Sequence, residues 1–128
     1  MRAVLDGAFV TWTLRRRGVR PLVTGMRADR PVVDVVRCRR VSAAVDAGLG
    51  LFPVAATCLR RSLTLARELD RLDLAGTVHV GVREADGRVE AHAWIQVGSH
   101  VVNDDPALVA TYGGLAAGEL ERLAPVIR

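Results

Sequence analysis

The chain has 128 residues, half of them hydrophobic, and a formal net charge of +4. A chain of this length can bury its own hydrophobic core, so we predict one domain over residues 1–128. No apolar run approaches the roughly 18 residues of a membrane-spanning helix, and Asp6 interrupts the stretch that a signal peptide keeps apolar. We therefore expect a cytoplasmic protein without a membrane partner. Because the arginines are scattered and aromatic residues are few, we expect no nucleic-acid partner.

Helical spacing of apolar residues predicts three helices in the first part of the chain. The first covers residues 5–17 and ends in basic residues followed by a glycine. A short second helix is predicted over residues 40–47, before a turn that contains glycine and proline. Thr57 suits the N-cap position, and apolar residues three or four apart predict a third helix from Cys58 to Leu72. Cys58 therefore opens a helix.

After this helix the apolar period changes to two, which predicts a β-hairpin around Asp86-Gly87. The opposite face of the hairpin carries His92, and Gly81 lies across from it and leaves room above the imidazole. A third strand is predicted over residues 101–104, and a short terminal helix after Pro106. The resulting class is α+β, with the Cys58 helix packed on a small antiparallel sheet. The predicted pairs, which form one apolar face, are Val78 with Ile95, Val80 with Ala93 and Val82 with Ala91.

Cys58 is the first candidate for chemistry. A cysteine attacks carbonyl groups as the thiolate, which a helix N-terminus stabilises through the helix dipole and free backbone N–H groups. Arg60 and Arg61 lie in the same first turn and favour the anion further, and the Cys58 N–H could bind a developing oxyanion. The competing interpretation is that Cys58 fills space as a small apolar side chain.

His92 is the candidate base, and a carboxylate about one hairpin later is the candidate partner that orients its ring. A two-residue turn at Gly98-Ser99 would put Asp105 opposite His92, whereas a three-residue loop or a bulge would put Asp104 on that face. The residue pattern by itself leaves both aspartates open.

The segments Cys-Leu-Arg-Arg-Ser-Leu at 58–63, Val-Gly-Val-Arg at 80–83, Ala-His-Ala-Trp-Ile at 91–95 and Val-Asn-Asp at 102–104 resemble the leader-cleaving protease of lasso-peptide biosynthesis. That family belongs to the transglutaminase-like superfamily and has a papain-type core. The resemblance covers roughly residues 40–106. It places the nucleophile at Cys58, the base at His92 and the orienting carboxylate at Asp104, directly after the Val-Asn pair, and so favours the three-residue loop.

The resemblance implies a peptidase, without a cofactor, that removes the leader from a ribosomally made precursor before an ATP-dependent cyclase closes the ring. A separate leader-recognition protein is implied as a partner, because this chain has no room for that domain. A small pocket for threonine is also implied, with His79, Gly81 and Trp94 as candidates. The family often has Glu where this chain has Gln96. Papain-like enzymes take a second oxyanion donor from a glutamine upstream of the cysteine, but Gln96 is the only glutamine here and lies downstream. Trp12 or another backbone N–H would then serve, or the oxyanion hole would form only when the partner binds.

Two other functions are compatible with this sequence pattern. A transglutaminase-like acyltransferase would use the same three residues with an amine as acceptor, and a non-catalytic module would keep the fold without working chemistry. The remaining candidates favour structural roles: Cys38 as a structural residue in a connecting segment, and His79 and His100 as surface or rim residues. We expect no metal site from the three histidines.

Overall fold

Helix α1 spans Val35–Leu49 and helix α2 spans Cys58–Arg71 in the computed structural model, which describes residues 31–51 and 57–114. The predicted helix over residues 5–17, the proposed donor Trp12 and most of the predicted terminal helix lie outside the described residues. The structural account therefore concerns the segments that carry the candidate site.

Helix α1 is longer than predicted. It begins at Val35 because the Asp34 carboxylate accepts the backbone N–H of Arg37 at 2.9 Å, which caps the first turn. The earlier start places Cys38 inside the helix and fully buried, rather than in a connecting segment. Its structural role is as predicted, since burial raises the pKa of the Cys38 thiol and keeps it protonated.

Helix α2 confirms the prediction closely. Thr57 is its N-cap and accepts the N–H of Arg60 at 3.3 Å, and Leu72 is its C-cap. Seven of its residues are buried, among them the continuous run from Ser62 to Ala66, while Arg71 at its end is exposed. Cys58 occupies the first helical position.

The sheet has four antiparallel strands in the order β3-β2-β1-β4. Strands β1 and β2 form the predicted hairpin, in which His92 lies opposite Gly81 and all three predicted apolar pairs are present. The turn residues Asp86 and Gly87 both have positive φ, as a type I′ turn requires. The bounds are Thr77–Ala85 for β1, Arg88–Val97 for β2, His100–Val101 for β3 and Gly113–Gly114 for β4, with a short helix α3 at Pro106–Val109.

The third strand is shorter than predicted. Val97 pairs with His100 across a two-residue turn, so the expectation of a three-residue loop is wrong. Strand β3 ends at Val101, and the chain bends over residues 102–104 instead of continuing as a strand. Helix α3 and strand β4 follow, and β4, which the sequence did not predict, pairs with β1 at Gly81 and Val82.

Two apolar clusters cover opposite faces of the sheet, because successive strand residues alternate in direction. Ile95 and Val97 face helices α1 and α2 and pack in the larger cluster with Cys38, Val45 and Leu65. The other face carries a smaller cluster, which lies between β2 and the segment around α3. Its members are Trp94, Val101, Val109 and the partly buried Tyr112. The predicted α+β arrangement of helices on a small antiparallel sheet is confirmed.

Candidate active site

His92 and Asp104 form a direct hydrogen bond. His92 Nε2 lies 2.6 Å from Asp104 Oδ2, and the two side chains are only 15% and 18% exposed. An ionised carboxylate only accepts hydrogen bonds, so Nε2 carries the proton and Nδ1 is the ring nitrogen left to accept one. The second oxygen of Asp104 accepts the N–H of Asp105 at 2.8 Å, which holds the carboxylate in place. The pair can therefore present a neutral imidazole of fixed orientation and tautomer.

A side-chain amide explains why Asp104, and not Asp105, reaches His92. If the pairing of β2 with β3 continued in its observed register, Asp105 would lie opposite His92. Instead Ile95 donates its N–H to Asn103 Oδ1 at 2.7 Å, while its carbonyl accepts the N–H of Val102 at 3.1 Å. The side chain of Asn103 thus replaces one backbone carbonyl of the β2–β3 ladder. The chain leaves the strand register there, so that Asp104, and not Asp105, reaches His92.

Asp105 has a different task in the same segment. It is the N-cap of α3, and its carboxylate accepts the N–H of Ala107 at 2.9 Å. The structure therefore separates the two aspartates that the residue pattern left open, with Asp104 on the imidazole and Asp105 on the following helix.

Cys58 lies at the start of α2 and is partly exposed. One helical turn later on the same face, Ser62 donates its Oγ hydrogen to the carbonyl of Ala93 at 3.1 Å. Ala93 has the same strand parity as Ile95, so its carbonyl points to the edge of β2 on the β3 side. The face of α2 that carries Cys58 is therefore turned toward this edge of β2 at Ala93. Ala93 lies between His92 and Trp94 in the strand.

Arg61 provides positive charge near the start of α2. Its guanidinium binds the carboxylate of Asp46 through two hydrogen bonds of 2.9 Å, which join α2 to α1. These bonds raise the pKa of Arg61, and the proximity of Asp46, Asp104 and the Cys58 sulfur adds to the increase against the opposing effect of burial. Arg61 is thus within electrostatic reach of both Asp104 and Cys58, as a stabiliser of negative charge would be.

Aromatic rings surround the imidazole of His92 on the face away from the larger cluster. Trp94 stacks on it with ring centroids 6.2 Å apart, and Tyr112 lies 5.1 Å away in a tilted arrangement. His79 stacks on the far part of Trp94 at 6.0 Å, and burial lowers the pKa of His79. The guanidinium of Arg83 lies 4.6 Å from the Tyr112 ring centroid, as a cation–π pair. These contacts restrict how far the imidazole can rotate.

The room predicted above His92 at Gly81 is filled. A Cβ at Gly81 would lie 2.8 Å from the Gly113 carbonyl, 2.8 Å from Tyr112 Cβ and 2.9 Å from the Trp94 ring. The absent side chain thus admits β4 and the aromatic rings, instead of leaving open space. The threonine pocket, with His79, Gly81 and Trp94 as candidates, stays a prediction.

Gly81→Ala is expected to destabilise the protein by about 1–3 kcal/mol, because an added methyl group would collide with backbone and ring atoms. The loss should appear as a lower denaturant midpoint. Gly114→Ala on β4 is the matched control, since a Cβ there would meet no atom of the described residues within 4 Å. Equal stability of the two variants would contradict this account of Gly81.

The other sequence candidates lie away from this arrangement. His100 is exposed at the end of β3, and Cys38 is buried in α1, where its Sγ faces the Ala75 carbonyl at 3.7 Å. Within residues 31–51 and 57–114, no group of three or more His, Cys, Asp or Glu side chains could hold a metal ion. The helices of those same ranges include none with the length and apolarity to cross a bilayer.

Residues that sequence reasoning missed hold this arrangement together. Ser62 and Asn103 were part of the matched segments, but neither was assigned a role. Tyr112, the residue before β4, contacts His92, and Arg83 on β1 contacts Tyr112. Strand β4 consists of two glycines, a composition that does not predict a strand. A spacing of four residues from Cys58 was the available signal for Ser62, since it places both on one helix face.

The geometry defines a class of protein: an α+β fold with a cysteine at a helix start and a histidine–aspartate pair on the adjoining sheet. The sequence profile described as the transglutaminase-like superfamily matches residues 2–117, and the chain belongs to this superfamily. Its members are generally cysteine proteases or acyltransferases, which suggests an activity of that kind here. No curated protein and no solved structure matches the chain.

Proposed function

We propose that this protein is a cysteine peptidase in which Cys58 is the nucleophile, His92 the base and Asp104 the residue that orients the base. The observation that carries the proposal is the 2.6 Å hydrogen bond between His92 Nε2 and Asp104, because it leaves Nδ1 able to accept the thiol proton. The position of Cys58 at the start of α2 supports it as well, since that helix end favours a thiolate.

The reaction would proceed by acyl transfer. His92 takes the thiol proton as Cys58 sulfur attacks the scissile carbonyl, and the Cys58 N–H stabilises the oxyanion of the tetrahedral intermediate. His92 then gives the proton to the leaving amine, which departs and leaves a thioester on Cys58. Water, deprotonated by His92, attacks the thioester and releases the carboxylate of the other fragment.

The substrate we propose is the leader-bearing precursor of a lasso peptide. This part of the proposal is supported by the resemblance of the segments around Cys58, His92 and Asp104 to the leader-cleaving proteases. A separate leader-recognition protein would present the precursor, and an ATP-dependent cyclase would use the freed amine. A cytoplasmic location belongs to the same proposal.

Mass spectrometry of the products tests the proposed function. The purified protein is incubated with a precursor peptide, with and without the candidate recognition protein, and cleavage is expected to give two fragments whose masses together exceed the precursor by one water. A product that has gained an added amine in place of water would instead support an acyltransferase. An unchanged precursor with the recognition protein present would contradict the peptidase and support a non-catalytic module.

A further inference from the structure

A hydrogen-bond network, buried at Ser62 and partly buried at Asn103, joins α2, β2 and the bend that follows β3. Asn103 Nδ2 donates to Ser62 Oγ at 3.0 Å, and Ser62 Oγ donates to the Ala93 carbonyl at 3.1 Å. Asn103 Oδ1 accepts the N–H of Ile95 at 2.7 Å. The two N–H···O distances are those of well-formed hydrogen bonds, and the O–H···O distance from Ser62 is slightly longer than usual. We call these two side chains and their bonds the Ser62–Asn103 clip.

Each part of the clip lies beside a different candidate catalytic residue. Ser62 follows Cys58 by one helical turn, and Asn103 immediately precedes Asp104. The Ala93 carbonyl belongs to the residue next to His92 on β2. The three elements meet at one point, so a shift of any one of them would move a reacting group relative to the other two.

We propose that Ser62 and Asn103 are positioning residues that set the mutual placement of Cys58, His92 and Asp104. The inference rests on the proposed peptidase function, since it assigns these residues a role in aligning that chemistry. A static packing role alone would not require the particular atoms involved, as the following two features indicate.

The first feature is the burial of a hydroxyl group at Ser62. Its residue is 0% exposed, on a helix face that otherwise buries Leu59, Leu63 and Ala66. A buried hydroxyl destabilises a protein unless it is hydrogen-bonded, and this one both donates and accepts. Alanine at this helix position would avoid the free-energy cost of burying a hydroxyl group. The serine is therefore explained by the hydrogen bonds through which it joins α2 to Ala93 and Asn103.

The second feature is the amide at Asn103. Asparagine offers an acceptor to Ile95 and a donor to Ser62 at once, which an ionised aspartate cannot do. A carboxylate there would also place a second negative charge beside Asp104. The amide thus satisfies the sheet edge and the helix together, and its neutral charge leaves the electrostatics of the His92–Asp104 pair undisturbed.

The test compares Ser62→Ala and Asn103→Ala with Thr64→Val as a matched control. Thr64 is also a fully buried hydroxyl on α2, but it donates locally to the Arg60 carbonyl and, among residues 31–51 and 57–114, forms no hydrogen bond to another element. With the precursor as substrate, both clip variants are expected to lower kcat by about 10- to 100-fold with little change in KM. Thr64→Val should keep a rate near that of the wild type. An equal loss in all three variants would overturn the proposal.

A second readout separates this inference from the proposed function. The proton between His92 Nε2 and Asp104 should give a downfield proton resonance in the wild-type protein, whether or not any peptide is cleaved. The resonance should be lost or markedly shifted in Asn103→Ala and retained in Thr64→Val. If Asn103→Ala fails to fold, Ser62→Ala is compared in its place, because it keeps the Asn103 acceptor for Ile95, adds no charge beside Asp104 and removes only the contact of Asn103 with α2. An unchanged resonance in the folded variant would overturn the positioning role.

A double-mutant comparison completes the experiment. Because Ser62 and Asn103 share one hydrogen bond, the double variant should lose no more activity than about the worse single variant. If the fold-loss of activity in the double variant equals the product of the two single-variant losses, the residues act independently, which would contradict a single clip.

Discussion

Cys58→Ala is expected to abolish precursor cleavage, with a fall in kcat of about 10³-fold or more, because no other group could form the thioester. The fold should persist: alanine is the best helix former, and the Thr57 cap does not involve the Cys58 side chain. The measurement is the rate of product formation by mass spectrometry, at matched concentrations of wild type and variant. Cleavage at the wild-type rate would remove Cys58 from the mechanism.

Alkylation gives this prediction an internal control in the second cysteine. Cys58 is partly exposed, whereas Cys38 is 0% exposed and burial raises the pKa of its thiol. Iodoacetamide near neutral pH should therefore modify Cys58 in the folded protein and leave Cys38 unmodified. Inactivation should follow the modification of Cys58 in time, and residual activity of the fully modified protein would argue against a nucleophilic role.

Asp104→Ala is expected to lower kcat by about 10²-fold or more, because His92 would lose the carboxylate that fixes its tautomer. Asp104→Asn should recover part of the activity, since an amide oxygen can also accept a hydrogen bond from Nε2, as it does in papain-like Cys-His-Asn sites. The readout is kcat for the series, measured on one precursor under one buffer condition.

Asp105→Ala is the matched control, one residue away in the same bend. Asp105 caps α3, so its loss should reduce stability by about 0.5–2 kcal/mol while the cleavage rate stays close to that of the wild type. The opposite pattern, with Asp105 essential and Asp104 dispensable, would mean that the active conformation keeps the regular strand register.

Local signals in the sequence were sufficient for the elements that carry Cys58 and His92. The helix from Cys58 follows from a cap at Thr57 and a continuous apolar stripe, both contained within a few turns of chain. The hairpin follows from the Asp86-Gly87 turn, which fixes the register of every pair on either side. Period and turn chemistry act over short distances, and they can be read without knowledge of the partner elements.

The position of Asp104 could not be derived in the same way. Register arguments count backbone pairs, and here the side chain of Asn103 takes the place of a backbone acceptor for Ile95. The resemblance of the Val-Asn-Asp segment points to the aspartate that contacts His92, while the loop length inferred with it is wrong. When a side chain takes the place of a backbone hydrogen-bonding group, the spacing of apolar residues in the sequence does not change. Only the three-dimensional contacts reveal it.

The sequence also did not indicate that residues distant along the chain pack over Gly81. The space over Gly81 is filled by Tyr112 and Gly113, which are about thirty residues away along the chain, and β4 has no strand-like composition. The start of α1 was missed for a local reason, since Asp34 caps a helix whose first residues are valines of weak helical preference.

The Ser62–Asn103 clip contains only an amide, a hydroxyl and main-chain groups. None of these titrates under conditions in which the protein would work, and neutral contacts in a buried location respond little to added electrolyte. Acidity and salt would then act on the sulfur, the imidazole and the carboxylate themselves, while the scaffold that aligns them stays constant. A rate profile recorded across buffers could on that account be assigned to the reacting groups, with no contribution from a change in their alignment.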